Sequence, residues 1–272
     1  MPSAERILPA CPPAQADWPA GVQAVCTERA GGHSQGLWEG LNLGDHVGDD
    51  PLAVAANRRW LAQSLGVRPV FLKQVHGLSV CRLLAQTPDG TVADACWTDV
   101  PGLACTVMVA DCLPVLLASA DGRSVAAVHA GWRGLAGHDG QGILEALCAQ
   151  WPAAHDRADR AAMTVWLGPC IGPQHFEVGQ EVRQAFVAAD EGATACFRPG
   201  VPAADGTQRH WADLPALARR RLQRLGFERV TGNDGGPAWC TVSQPSRFFS
   251  HRRDTARLGG SGRMAALIWR SV

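Results

Sequence analysis

Apolar residues come in short runs along most of this chain, and the densest runs sit in its middle. Leu103 to Ala110, Leu113 to Ala118 and Val125 to Val128 are rich in Val and Leu, and Asp121-Gly122 supplies a turn before the third. Runs of that length and composition predict core strands. Val22 to Cys26, Val70 to Leu72, Ser79 to Leu84, Met163 to Leu167 and Met264 to Trp269 predict further strands. Helical spacing is clearest from Pro51, where Val54, Asn57, Arg58, Leu61 and Leu65 follow a cap at Asp50 and stop at Gly66. Helices are also predicted over Gln141 to Trp151 and over Glu177 to Ala189, the latter with Val178, Val182 and Phe186 on one face. A further helix is capped by Asp213, with Pro215 near its first position. It buries Leu214, Leu217, Leu222 and Leu225 and turns Arg219, Arg220, Arg221 and Arg224 mostly to solvent.

Between these elements the chain is glycine-rich and polar. Pro12, Pro13 and Pro19 mark an irregular start, Ala30 to Gly36 a turn, Asn42 to Gly48 a polar loop, Gly168 to Pro173 a rigid turn, and Arg247 to Asp254 a loop. Residues 125–151 read as a strand, a glycine-rich turn and a helix whose first N–H groups could hold an anion. Strands and helices are interspersed without a strict β-α-β rhythm, which predicts an α+β fold with mixed sheets. No repeat and no linker divides the chain, so one domain over 1–272 is expected.

Composition narrows the function classes. Lys and Arg number 25 against 25 Asp and Glu, so no overall positive field exists to hold a polyanion, and nucleic acid is disfavoured as a partner. With 46% hydrophobic and 18% charged residues the chain reads as globular, and no apolar run reaches membrane-spanning length. Met1 to Ala10 lacks the charged-then-apolar layout of a secretory signal, so a cytoplasmic protein is expected. Ten cysteines without a C-x-x-C pair predict thiols that are mostly reduced and buried.

Polar residues interrupt the apolar middle at two points, Asp111-Cys112 and His129 to Gly134. His76, Cys112 and His129 each lie at the end of an apolar strand beside a glycine or an acid, where a rigid scaffold can aim side chains into one cleft. Two imidazoles and a thiolate suit Zn²⁺ and leave its fourth position open. Their spacing matches no short metal signature, so two other readings stand beside this one. One is a buried inert thiol with unrelated histidines; the other is a Cys112 nucleophile with a histidine as its base. Arg133, in a glycine-rich turn before a helix, could grip phosphate or bond loop carbonyls. Asn42, Lys73 (the single lysine) and Gln74 could contact a ligand or cap local backbone. Asp94 and Asp111 could orient a ligating histidine or cap turns. Arg252-Arg253 could bind an anionic group or form a surface ion pair.

Seven blocks carry a wider resemblance. They are Arg29-Ala30-Gly31-Gly32-His33-Ser34-Gln35-Gly36, Leu41 to Asp49, Gln74-Val75-His76-Gly77, Ala110 to Val115, Val128-His129-Ala130-Gly131-Trp132-Arg133-Gly134, Gly168 to Pro173, and Phe248 to Asp254. In this order they resemble the multicopper polyphenol oxidoreductase, or laccase-domain, family, also described as peptidoglycan editing factors and as purine nucleoside phosphorylases. Val109, His251 and Val92-Ala93-Asp94-Ala95 depart from the family's usual Thr, Tyr and Asp-Ala-Asp-Ala. The resemblance implies a single domain of layered mixed sheets flanked by helices, similar to Cys-His deamidating toxin domains. It implies that His76, Cys112 and His129 hold Zn²⁺, with Cu²⁺ as an alternative occupant. It also implies phosphorolysis of adenosine, inosine and methylthioadenosine, with adenosine deamination as a second activity. On this reading His76, Cys112, His129 and Arg133 serve the chemistry, and Asn42, Lys73, Gln74 and Arg133 are candidate substrate contacts. The partners are a small nucleoside and phosphate, and the chain acts as a monomer. The rival readings are a peptidoglycan-precursor amidase acting on a UDP-MurNAc-amino acid, a copper polyphenol oxidase, and a non-catalytic protein with structural zinc. Nine scattered histidines argue against the oxidase, since multicopper electron transfer needs several clustered coppers.

Overall fold

The central strands are apolar on both faces because both faces are covered. The computed structural model describes the backbone of residues 10–11 and all of residues 16–271. In chain order its strands are β1 (Ala10–Cys11), β2 (Val22–Thr27), β3 (Arg68–Phe71), β4 (Val80–Arg82), β5 (Ala95–Thr98), β6 (Leu103–Val109) and β7 (Leu113–Ala118). They continue as β8 (Val125–Ala130), β9 (Thr164–Leu167), β10 (Glu177–Gly179), β11 (Phe197–Pro199), β12 (Arg209–Ala212), β13 (Arg229–Gly232) and β14 (Met264–Arg270). The helices are α1 (Pro51–Leu65), α2 (Trp132–Ala136), α3 (Ile143–Gln150), α4 (Arg157–Ala162), α5 (Gln180–Val187), α6 (Leu214–Leu225) and α7 (His251–Leu258).

One sheet runs β1-β2-β14-β6-β3, a second β13-β9-β7-β8-β5-β4, and a small third β10-β12-β11. The two large sheets are mixed: β3 pairs with β6 in parallel and β14 with β6 antiparallel, while β4 and β5 are parallel and β7 and β8 antiparallel. Leu116, Ala118, Val125 and Ala127 of the second sheet pack with Cys105, Val107, Ala266 and Ile268 of the first, forming the layer between them. The alternate residues Val115, Leu117, Ala126 and Val128 face Leu144, Leu147, Leu217 and Leu222 of α3 and α6. On the far side of the first sheet, Ala104, Met108 and Leu267 pack on Leu61 of α1. This α+β arrangement of layered mixed sheets flanked by helices agrees with the fold class expected from the sequence.

α1 begins where Asp50 accepts the Leu52 N–H at 2.9 Å and ends at Gly66 in the left-handed conformation, φ 64°. α6 begins where Asp213 accepts the Ala216 N–H at 2.9 Å. Several expectations are corrected. Residues 177–179 form β10, because Glu177, Val178 and Gly179 pair with β12, and the helix starts only at Gln180. Residues 251–254 are not loop but the first turn of α7, whose N–H groups are capped by Ser250. The turn after β8 contains a short helix, α2, before α3. The N–H of Gly142, the N-cap of α3, is not free, since Glu145 Oε2 accepts it at 2.8 Å. Nor is Arg221 a solvent arginine: it is 4% exposed, pairs with Glu145 at 3.1 Å and donates to the Gly140 carbonyl. Arg219 is likewise turned onto the carbonyls of Val230, Gly232 and Asn233.

The reading of residues 1–9 and of Pro12-Pro13 falls outside the described residues. Among the described residues no helix is long and apolar enough to cross a membrane. Cys96, Cys105, Cys148, Cys170 and Cys240 are buried free thiols, in keeping with the cysteine pattern. The Arg221–Glu145 pair joins α6 to α3, and removing one partner leaves a buried charge unpaired. Arg221→Ala is therefore expected to lower the urea-unfolding free energy by about 3 kcal/mol, and Arg221→Met with Glu145→Leu to recover most of it.

Candidate metal centre

One of the crossings from the first large sheet to the second is the tight corner Ala110-Asp111-Cys112 between β6 and β7. Asp111 takes φ 87°, in the left-handed region that Asp tolerates better than most residues. Its carboxylate fixes the corner, accepting from Thr241 Oγ1 at 2.5 Å and from the Arg252 N–H of α7 at 2.6 Å. His129 stands in β8 opposite Pro114 of β7. By strand alternation with Ala127 it points toward the space between the sheets. His76 lies beyond β3 in a turn at φ 60°. The three side chains meet: their donor atoms all lie within 4.8 Å of one another, and Cys112 Sγ is 3.7 Å from His76 Nε2. The imidazoles stand edge to face with centroids 4.7 Å apart.

Asp94 organises this meeting. Its carboxylate accepts the N–H groups of Val75 at 3.2 Å, His76 at 2.9 Å and Gly77 at 2.8 Å, and its Oδ1 lies 2.8 Å from His129 Nδ1. Nδ1 of His129 is thereby committed to Asp94, which leaves Nε2 as the ligating nitrogen. Burial pushes the Asp94 carboxyl up, but the bonds from His129 and Gly77 outweigh it and hold it below the usual carboxylate range. At Cys112 burial likewise opposes ionisation, and the adjacent His129 and His76 overcome it, bringing the thiol down to about 6. His129 is raised to about 9, against the effect of its own burial, by the Cys112 sulfur and by Asp94. The sulfur is therefore a thiolate at neutral pH, the form that binds metal.

The donors fit a metal ion. A tetrahedral zinc with ordinary Zn–S and Zn–N bonds sets a sulfur and a nitrogen about 3.6 Å apart, close to the 3.7 Å between Cys112 and His76. Gly131 keeps the space open: a Cβ there would lie 3.0 Å from Cys112 Sγ and 3.1 Å from His76 Cδ2. The cluster opens into a cavity of about 240 Å³ walled by Gln74, Met108, Val109, Ala110, His46, His251 and Arg263.

The other candidate residues are dispersed. Gln74 reaches the cavity, but its amide is spent on Met108, donating to the carbonyl at 2.8 Å and accepting the N–H at 2.7 Å. Asn42 is 0% exposed, and its side chain bonds Asp49, Gly44 and the Arg263 N–H. Lys73 is exposed and outside the cavity lining. Arg133 is exposed on α2, its guanidinium 4.5 Å from the Trp132 ring centroid, and it too is outside the lining. Arg252 Nη1 and Nη2 bond the carbonyls of His175 and Glu177, and Arg253 pairs with Asp254, so neither awaits an anion. Sequence reasoning missed His46 and Arg263. His46 lies inside the Leu41 to Asp49 block, where nothing marks it out from its neighbours, and no local motif marks Arg263, which the register of β14, setting Met264 opposite Val109, brings to the cavity.

Fold and site together define a layered α+β protein with a His-Cys-His cluster able to hold a metal ion at the mouth of a cavity. The chain belongs to the multi-copper polyphenol oxidoreductase laccase family, whose profile matches residues 23–271. It is 48% identical over 255 residues to purine nucleoside phosphorylase PA4543 of Pseudomonas aeruginosa, covering 93% of this chain and 96% of that one. It is 43% identical over 253 residues to purine nucleoside phosphorylase YfiH of Escherichia coli, covering 92% and 95%. Among solved structures, Neisseria meningitidis protein NMB0706 superposes with TM-score 0.79 at 42% identity, covering 94% of this chain and 98% of that one.

Because Asp94 orients His129 and Gly131 makes room for the cluster, both should control metal retention. Asp94→Ala is expected to weaken metal binding by about 10- to 100-fold, and Gly131→Ala to lower the metal content of the purified protein. Competition with a chromogenic chelator measures both, and wild-type affinity in both variants would remove these residues from the metal's support.

Proposed function

We propose that this protein is a zinc-dependent purine nucleoside phosphorylase acting on adenosine, inosine and methylthioadenosine, with adenosine deamination as a second reaction in the same cavity. The observation that carries the reading is the His76–Cys112–His129 cluster opening into a cavity, in a chain whose 48%-identical relative is named a purine nucleoside phosphorylase. In phosphorolysis a phosphate oxygen bonds to the anomeric carbon of the sugar, the bond to the base nitrogen breaks, and the base leaves with a proton. A bound ion supplies a Lewis acid with the fourth position that three protein donors leave open.

The chain's own residues prepare the rest. Asp94 holds His129 in one tautomer and the His76 turn in one position, so no reorganisation of the donors accompanies reaction. Met108, Val109 and Ala110 form an apolar wall suited to a flat base and to exclusion of water. All three donors come from one chain. The copper oxidase reading is less well supported. All nine histidines lie among the described residues, and those residues contain one three-donor group where multicopper electron transfer needs several.

Elemental analysis combined with product identification tests the proposal. Wild-type protein is expected to hold one zinc per chain and to form free base and sugar 1-phosphate from adenosine or inosine only when phosphate is present. His76→Ala and His129→Ala should lose the zinc and at least about 100-fold in turnover, the worth of a few kcal/mol of charge stabilisation. Base release without phosphate, or full turnover in a zinc-free variant, would overturn the proposal.

A further inference from the structure

The cavity wall carries an arginine, Arg263, that has no ion-pair partner among the described residues. Among the described residues no carboxylate lies within ion-pair distance of Arg263, whereas Arg58, Arg82, Arg220, Arg221, Arg224, Arg247 and Arg253 each have one. Its Nη1 donates to the carbonyls of Ser261 at 3.0 Å and Gly262 at 3.1 Å, while Nε and Nη2 meet no acceptor among the described residues. Yet the side chain is held firmly. Its stem lies over Gly44, where a Cβ would come 2.7 Å from Arg263 Cγ, and its own N–H is bound by the fully buried Asn42 at 2.8 Å. A half-buried guanidinium with two unused donors, fixed at a cavity wall, is the arrangement that recognises an oxyanion through charge-assisted bonds.

The surroundings favour an anion over a neutral group. The negative groups acting on Arg263 are Asp111 and Cys112, and the neighbouring His46, which Arg263 makes harder to protonate, has Asp45 Oδ1 3.4 Å from its Nδ1. The Asp111 carboxylate is already engaged by Thr241 and Arg252, and the Cys112 thiolate belongs to the metal cluster. With a divalent ion on that thiolate the local charge around Arg263 becomes net positive. His46 and His251 line the same wall, and Thr255 Oγ1 sits 3.0 Å from His251 Nδ1, leaving its Nε2 for the cavity. From these observations we propose that Arg263, with His46 and His251 beside it, forms the subsite for the inorganic phosphate consumed in the reaction. Asn42 acts on it as a positioning residue. The proposal rests on the phosphorylase reading for its ligand, and it moves the phosphate role from Arg133, whose guanidinium lies outside the cavity.

Isothermal calorimetry of the metal-loaded protein with inorganic phosphate, without nucleoside, tests this directly. Arg263→Gln is expected to weaken phosphate binding about tenfold or more, the loss of charge-assisted bonds of roughly 1.5–3 kcal/mol. Arg263→Lys, which keeps the stem and the charge, should fall between, and Arg133→Gln should bind as wild type does. Metal content and thermal unfolding are measured on each variant. Unchanged values alongside weaker phosphate binding support the subsite, and Arg263→Lys decides the matter if Arg263→Gln fails to fold. The proposal is overturned if wild type binds no phosphate, if both Arg263 variants bind it as wild type does, or if Arg133→Gln alone loses it. Binding of adenosine 5′-monophosphate through Arg263 with no binding of free phosphate would also overturn it, assigning the site to a nucleotide's phosphate. Phosphate bound through Arg263 with no sugar 1-phosphate formed would uphold the subsite and defeat the phosphorylase reading instead.

Discussion

One buried carboxylate holds the functional end of this molecule together. Asp94 is 0% exposed, yet its oxygens take three consecutive backbone N–H groups of the His76 turn and the ring N–H of His129. Burying an ionised carboxylate is expensive unless its lone pairs are met, and four donors meet them here. Because the bonds run from the residue preceding β5 to the turn beyond β3 and to β8, the carboxylate closes the second sheet against the end of the first. Removing it would free the turn and leave His129 without a fixed tautomer, so metal binding and local order depend on the same group.

Asp111 does the complementary work at the corner between the sheets. Its left-handed backbone turns β6 into β7, and its two carboxylate oxygens reach Thr241 and the first turn of α7. A carboxylate at a helix N-terminus interacts favourably with the helix dipole, so the corner and α7 stabilise one another. His251 and Cys112, far apart in sequence, are thereby set on the walls of one cavity.

How much of this was legible follows from which forces are local. α1 and α6 were readable almost to the residue because Asp50, Gly66 and Asp213 are caps whose effect needs only their neighbours. The central strands were readable because full burial on both faces leaves an unbroken apolar run. Residues 177–179 were misread because pairing with β12, more than thirty residues away, overrides a helical pattern. Arg221 looked like part of a solvated face, since nothing nearby in sequence discloses that Glu145 awaits it. In the site, His76, Cys112 and His129 were legible as strand-end residues and as family motifs. Arg133 and Asn42 were not separable from Arg263, because a polar residue in a loop has the same appearance whether it faces a cavity or ties the loop to itself.

Strain gives an independent indication of how the centre is built. Among the described residues only His76, Asp111 and Asp139 adopt positive φ without being glycine; the first belongs to the cluster and the second immediately precedes Cys112. Such conformations persist where surrounding bonds over-determine them. Here Asp94 holds the N–H of His76, and Thr241, Arg252 and Ile171 hold Asp111 through its side chain and carbonyl. Every one of them is a bond between protein groups. These bonds fix the backbone beside Cys112 and at His76, the kind of support that lowers the ordering cost of binding at a site. Among the described residues no fourth donor joins the three, and Arg263 lines the cavity into which they open.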